Sequence, residues 1–177
     1  MLPATKAIPK ELLPIYDRPL IEHVVKEAIG GGIREIIFIT RSGKEAIENH
    51  FDAHYELEHR LVKKGKDKIL EDIVKIIPDE VKISSIRQAD ALGLGDAILC
   101  AKHLINDEPF AVLLPDVLVL DKKIQKKNNS FLELVKAWNN TGISQVMVEQ
   151  VDIKSVEKYG IVDPLVKKIN TFDTIPL

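Results

Sequence analysis

Three short strand candidates, each followed directly by turn or polar residues, constrain this chain more than any other feature, and two of them are unbroken apolar runs. The first, Ile36-Ile37-Phe38-Ile39, has no polar alternation, as expected of a strand covered on both faces. The second spans residues 81–86, and the third is Phe110-Ala111-Val112-Leu113-Leu114, stopped by Pro115. Between them lie stretches of helical period. Leu20, Ile21, Val24, Val25, Ala28 and Ile29 give one apolar face to a helix that Gly30, Gly31 and Gly32 end. Helical patterns are expected over 44–51, over 53–76, from the Gly93–Gly95 loop to about Leu104, and over 131–138. A last strand is expected over 145–151. This rhythm predicts an α/β fold with a mostly parallel, Rossmann-like sheet and helices on both faces.

Upstream, Pro3, Pro9, Pro14 and Pro19 fix their own φ and bias each preceding residue away from helix. That predicts extended or turning chain, with Pro19 in the first turn of the following helix. Residues 122–129 read as a polar loop, and no pattern emerges after Val162. With 177 residues, 45% of them hydrophobic, the chain suffices for one domain with a sizeable core, so 1–177 is read as a single domain.

Charge narrows the function classes. A net charge of −2 supplies no bulk field to hold nucleic acid or an anionic membrane, so phosphate chemistry must rest on local cations. No run approaches the roughly 18 apolar residues of a membrane helix. The single Cys100 excludes an internal disulfide and suits a reducing compartment. A soluble cytoplasmic protein is the expectation.

In open parallel sheets, ligands sit beyond the carboxyl ends of the strands. Asp116 follows the third run through Pro115, where a carboxylate can hold a divalent cation or, equally, stabilise a turn. Gln88 follows the second run, and its amide can both donate to and accept from the edge of a base. Gly93 lets backbone approach a flat ligand, although a glycine loop entering a helix is common. Lys6, Lys10 and Arg18 lie in the proline-stiffened segment, where an ammonium can meet a phosphate with little ordering cost; a solvated lysine is the plain alternative. His50 and His54 stand one helical turn apart, but without the His-Glu-x-x-His arrangement they read as structural, with His59. Cys100 reads as a packed side chain.

Several motifs then converge. The segment Leu2-Pro3-Ala4-Thr5-Lys6-Ala7-Ile8-Pro9-Lys10-Glu11-Leu12-Leu13-Pro14 resembles the stretch after the glycine-rich loop in bacterial UDP-glucose pyrophosphorylases. Similar in the same order are Ile47-Glu48-Asn49-His50-Phe51-Asp52 with Tyr55-Glu56-Leu57-Glu58, and Arg87-Gln88 with Gly93-Leu94-Gly95. Pro115-Asp116-Val117 and Tyr159-Gly160-Ile161-Val162 complete the series. By that resemblance, Lys10 matches a lysine on phosphate, Gln88 and Gly93 match uracil-recognising positions, Asp116 matches the aspartate of a catalytic Mg²⁺, and Gly160 matches a backbone contact to the sugar. The resemblance implies a nucleotidyltransferase that uses UTP and glucose 1-phosphate, forms homo-oligomers and releases pyrophosphate. A thymidylyltransferase relative fits Leu13-Pro14-Ile15-Tyr16-Asp17-Arg18-Pro19, and a non-catalytic interaction subunit is a further alternative.

The resemblance also marks what the sequence does not contain. The family's Gly-x-Gly-Thr-Arg loop, which cradles the triphosphate, and its Glu-Lys-Pro segment are both missing. The expectation is a fragment of a longer chain, with an unpaired strand edge where a central strand belongs. Such a fragment is expected to be inactive and marginally stable by itself.

Overall fold

A computed structural model describes residues 3, 5–116, 130–162 and 174–176. The chain forms two compact units: Met1–Ile29 with Ile33–Leu118, and Gly30–Gly32 with Val119–Leu177.

In the first unit, the proline-spaced segment makes a 3-10 turn at Lys10–Leu12 and then a hairpin of two minimal strands. These are β1 (Pro14–Ile15) and β2 (Arg18–Pro19), antiparallel, with Pro14 opposite Pro19. Tyr16 turns the hairpin at φ 65°, fully exposed. Pro19 therefore belongs to β2 and not to the helix. The Leu20 N–H continues the hairpin pairing, donating to Leu13 O at 3.0 Å, and α1 runs over Leu20–Gly30. The buried face of α1 carries the expected Leu20, Ile21, Val24, Val25 and Ala28, together with Glu22. Ile33 N–H closes the helix end on Ala28 O at 3.1 Å.

Strand β3 (Glu35–Thr40) follows, then α2 (Glu45–Phe51), α3 (Tyr55–Lys63), α4 (Asp67–Val74) and β4 (Lys82–Arg87). β3 and β4 pair in parallel from Glu35 opposite Lys82 to Thr40 opposite Arg87. Parallel neighbours require a crossover, and the three helices supply it. Gly65, at φ +61°, separates α3 from α4; its N–H reaches Val62 O while Lys66 N–H reaches Leu61 O. The core lies where α1 and α2 cover β3. Ile21, Val25 and Ile47 pack together, with Ile36, Phe38, Phe51 and Ile77 around them. Full burial of a side chain such as Ile21, Val25 or Ile47 contributes about 1.5–3 kcal/mol. This α/β arrangement holds the carboxyl ends of β3 and β4 side by side. The glycine loop then leads into α5 (Leu94–Cys100), which contacts β3, and α6 (Lys102–Ile105).

The third expected strand does not form. Residues 110–114 take no regular structure, and Phe110, Val112 and Leu114 remain 57%, 47% and 43% exposed. An apolar run sets a preference for burial, but a strand also needs a neighbour for its N–H and C=O groups. Among the described residues none pairs with this run.

The second unit contains α7 (Ser130–Thr141), β5 (Gln145–Met147), a 3-10 turn at Ile153–Lys158 and β6 (Thr174–Pro176). β5 and β6 are antiparallel, with Gln145 opposite Pro176. The strand expected over 145–151 ends at Met147. The polar loop expected over 122–129, Val117, and residues 163–173 lie outside the described residues.

Candidate functional site

Gln88 stands at the carboxyl end of the parallel pair. Its backbone N–H donates to Thr40 O at 2.8 Å, one bond beyond the last residue of β4. Five residues on, Gly93 precedes α5 with φ 99° and ψ −177°, a region essentially reserved for glycine. No atom lies within 4 Å of where a Cβ would stand, so the backbone angle, not crowding, requires glycine there. The open side also leaves room for a flat ligand. Gln88 Nε2 donates to Gly93 O at 3.2 Å and to Asp96 Oδ2 at 2.7 Å. The two residues expected to read a base are thus joined by a direct hydrogen bond.

Lys10 and Asp116 are 106 positions apart in sequence, yet Lys10 Nζ lies 3.0 Å from Asp116 Oδ2. Their side chains are 40% and 48% exposed, so solvent and ligands can reach both. The hydrogen bond from Lys10 lowers the Asp116 carboxyl below its ordinary value, against the opposing effect of partial burial. Asp116 is therefore held ionised, as an oxygen donor for a hard cation must be.

A hollow of about 340 Å³ opens between the 5–11 segment and the turn after β3, residues 41–44. Lys6, Lys10, Arg41 and Lys44 line it, against a single carboxylate, Glu11. The turn is closed by Lys44 N–H donating to Arg41 O at 3.2 Å, with Gly43 at φ 83°. Glu11 is only 3% exposed; Lys44 Nζ meets its Oε1 at 2.5 Å, and its Oε2 is buried with no partner among the described residues. Cations gathered on a rigid turn and a proline-stiffened segment are a ready seat for phosphate oxygens.

Of the other candidates, Arg18 is not in the hollow. It pairs with Glu22, which also receives Lys26 Nζ at 2.8 Å and faces His50 Nε2 at 3.3 Å. Burial is the largest influence on the Glu22 carboxyl and pushes it up, but the bonds from Lys26 and Arg18 together bring it below its ordinary value. His54 caps α3, accepting from Leu57 N–H at 3.3 Å, and the His59 ring stacks on Tyr55 at 5.8 Å. Among the described residues no three His, Cys, Asp or Glu side chains gather as metal ligands. Cys100 is half-buried. Gly160, in the second unit, is exposed and follows the 3-10 turn whose N-cap, Asp152, accepts from the Lys154 N–H at 2.8 Å. Sequence reasoning missed Glu11, Arg41, Lys44 and Asp96. The 41–44 turn follows β3 directly, so the strand-end rule that singled out Gln88 reaches Arg41 and Lys44 as well.

Residues 1–173 match the family of nucleotidyl transferases. The chain is 46% identical over 174 residues to a UTP–glucose-1-phosphate uridylyltransferase of Haemophilus ducreyi, covering 98% of this chain and 59% of that protein. Against the enzyme of the same name from Escherichia coli strain K12, identity is 45% over 177 residues, covering 100% of this chain and 58% of that one. Among solved structures, the UTP-bound UGPase from Acinetobacter baumannii superposes with a TM-score of 0.89 at 43% identity. That match covers 98% of this chain and 60% of the other. The chain thus spans less than two thirds of the length of each of these relatives.

Proposed function

The chain belongs to the nucleotidyl transferase family, and from that premise we propose that it is part of an enzyme that makes UDP-glucose and pyrophosphate from UTP and glucose 1-phosphate. The observation that carries the reading is the meeting of Lys10 and Asp116 at 3.0 Å across 106 positions. It joins a phosphate-seeking cation to an ionised carboxylate in a chain about 45% identical to named uridylyltransferases.

The reaction needs little covalent work from protein groups. A phosphate oxygen of glucose 1-phosphate attacks the α-phosphorus of UTP; the new P–O bond forms as the bond to the β-phosphate breaks, and pyrophosphate leaves with the electron pair. Catalysis is then positioning and charge stabilisation. Gln88 and Gly93 hold the uracil, Lys10 contacts phosphate, and Lys6, Arg41 and Lys44 extend the cationic surface around it. Gly160 offers backbone to the sugar, a role resting on the resemblance of Tyr159-Gly160-Ile161-Val162. Mg²⁺ is commonly held by one or two carboxylates together with substrate phosphates, so an exposed, ionised Asp116 fits the protein's share of that site. Bound there, the cation would neutralise charge on the phosphate oxygens.

The family match runs through both units, which supports reading 1–177 as one partial transferase domain. Among the described residues no helix is long and apolar enough to cross a membrane; a cytoplasmic location and a homo-oligomeric state belong to the same proposal. Isothermal titration of the chain with UTP and Mg²⁺ tests the nucleotide site, and absence of heat at millimolar UTP would refute it. Grafting residues 1–177 into the Escherichia coli relative in place of the matching segment tests the reaction. UDP-glucose formation with UTP is expected, and a preference for dTTP would favour a thymidylyltransferase instead.

A further inference from the structure

The amide of Gln88 has its two faces assigned by its neighbours. Both Nε2 hydrogens are spent inside the protein, one on Gly93 O at 3.2 Å and one on the Asp96 carboxylate at 2.7 Å. The reverse orientation would set Oε1 against a carboxylate and a carbonyl, acceptor facing acceptor, a repulsive arrangement in a half-buried place. No described residue donates to Gln88 Oε1, and that oxygen is the one hydrogen-bonding group the side chain has left.

We propose that Asp96 is a specificity-determining positioning residue: it locks the Gln88 amide so that only an acceptor faces the base, and so selects nucleotides carrying an imide N–H. This rests on the reading of Gln88 and Gly93 as the base site, and adds the residue that gives that site its sign. Uracil presents N3–H, a donor, to an acceptor oxygen. Cytosine presents a bare N3, an acceptor, and meets Oε1 lone pair to lone pair. Thymine has the same N3–H as uracil, so the lock does not distinguish UTP from dTTP. Without Asp96 the amide is held only by the longer bond to Gly93 O and can rotate to offer Nε2–H to cytosine.

Asp96 also lies in the first turn of α5, where a carboxylate favours the helix electrostatically. A purely structural role of that kind changes stability, and affinity for all nucleotides alike. The lock changes their ratio.

The test measures dissociation constants of the 177-residue chain for UTP, dTTP and CTP, before and after Asp96→Ala. A site built around a hydrogen bond discriminates strongly against a mismatched partner, so the UTP-over-CTP preference is expected to fall by about tenfold or more. The UTP-to-dTTP ratio is expected to stay within about twofold, because both bases keep the same imide contact. In ¹⁵N-labelled chain without nucleotide, the Gln88 side-chain amide signals, assigned by their loss in Gln88→Glu, are expected to move on Asp96→Ala. UTP binding with an unchanged UTP-to-CTP ratio overturns the lock, as do unmoved Gln88 signals. Failure of the parent chain to bind UTP refutes the base-site reading itself, and the specificity assigned to Asp96 falls with it.

Discussion

Replacing Asp116 by Asn separates a functional carboxylate from a structural one, because the structure sets opposite magnitudes for the two roles. The side chain is 48% exposed and its partner Lys10 is 40% exposed, so their ion pair competes with water on both sides. Exposed pairs contribute about 0.2–1 kcal/mol. For a chain of this size 1 kcal/mol moves the melting temperature by about 2–4 °C, so Asp116→Asn is expected to melt within about 4 °C of the parent. Binding behaves differently. Asn keeps the shape but removes the ionised oxygen that a hard cation requires, so the tightening of UTP by Mg²⁺ is expected to fall at least about tenfold. Without metal the sign reverses: Lys10 no longer has an anion beside it, and UTP is bound as tightly as by the parent or more so. The assay is titration calorimetry with UTP, once with Mg²⁺ and once with EDTA, alongside thermal melting. Mg²⁺ tightening that survives unchanged in the variant would show that Asp116 does not hold the cation. A drop of more than about 8 °C, about 2–4 kcal/mol or more, would show that the pair is structural after all.

Acid dependence of the same site follows from the lowered Asp116 carboxyl. Since the shift is downward from an ordinary 3.8, the carboxylate is still ionised at pH 5. The terminal phosphate of UTP takes up a proton in that range for parent and variant alike, so the ratio of Mg²⁺ tightening between the parent and Asp116→Asn is expected to be the same at pH 5 as at pH 7. Glu22→Gln is expected to cost about 2–3 kcal/mol, seen as a lower urea midpoint, since it removes the buried negative charge and one of the two acceptor oxygens that Arg18, Lys26 and His50 share. The Glu22 carboxyl is lowered from 4.5, so its contribution is full above that pH and fades as pH falls through the lower folded value. The gap between parent and variant should narrow in urea melts below pH 4.5; a constant gap would exclude the charge as its cause. Gly93→Ala is expected to cost about 1–3 kcal/mol from the left-handed backbone at φ 99°, and to weaken UTP binding by moving the loop from Gln88. Lys44→Met is expected to destabilise by about 3 kcal/mol, because Glu11 Oε2 already has no partner among the described residues and Oε1 would lose Lys44. A urea midpoint equal to the parent's would show that Glu11 rehydrates freely.

What the sequence made legible is what short-range pattern can carry. Residues 81–86, with Lys82, Ser84 and Ser85 among them, formed a strand where one was expected, and residues 36–39 read as a strand from an unbroken apolar run and formed one too. Residues 110–114 carry the same pattern and form no strand. Whether a run becomes a strand depends on a neighbour elsewhere in the chain, which no local pattern records. Gln88 and Gly93 were accessible because the ends of parallel strands bind ligands, and Lys10 and Asp116 because each sits beside a proline-marked boundary. Their meeting at 3.0 Å was not, since nothing in residues 10 and 116 names the other.

The buried acids divide along the same line. Reading helix faces by apolar residues assigns every glutamate to solvent, which is right for most of them. Glu22 breaks that rule with a local signature: Arg18, on β2, and Lys26, one turn along α1, lie four residues to either side and both reach it. A carboxylate inside an apolar stripe and flanked by cations four residues to either side is one whose burial is already compensated, and that spacing is visible before any fold is known. Glu11 has no such signature, because its counter-charge, Lys44, comes from 33 residues away on the turn after β3. The compensation of Glu11 exists only once β3 has brought that turn against the proline-stiffened segment. The same folding step gathers Lys6, Lys10, Arg41 and Lys44 around one hollow, so the phosphate-seeking surface and its buried counter-charge form together.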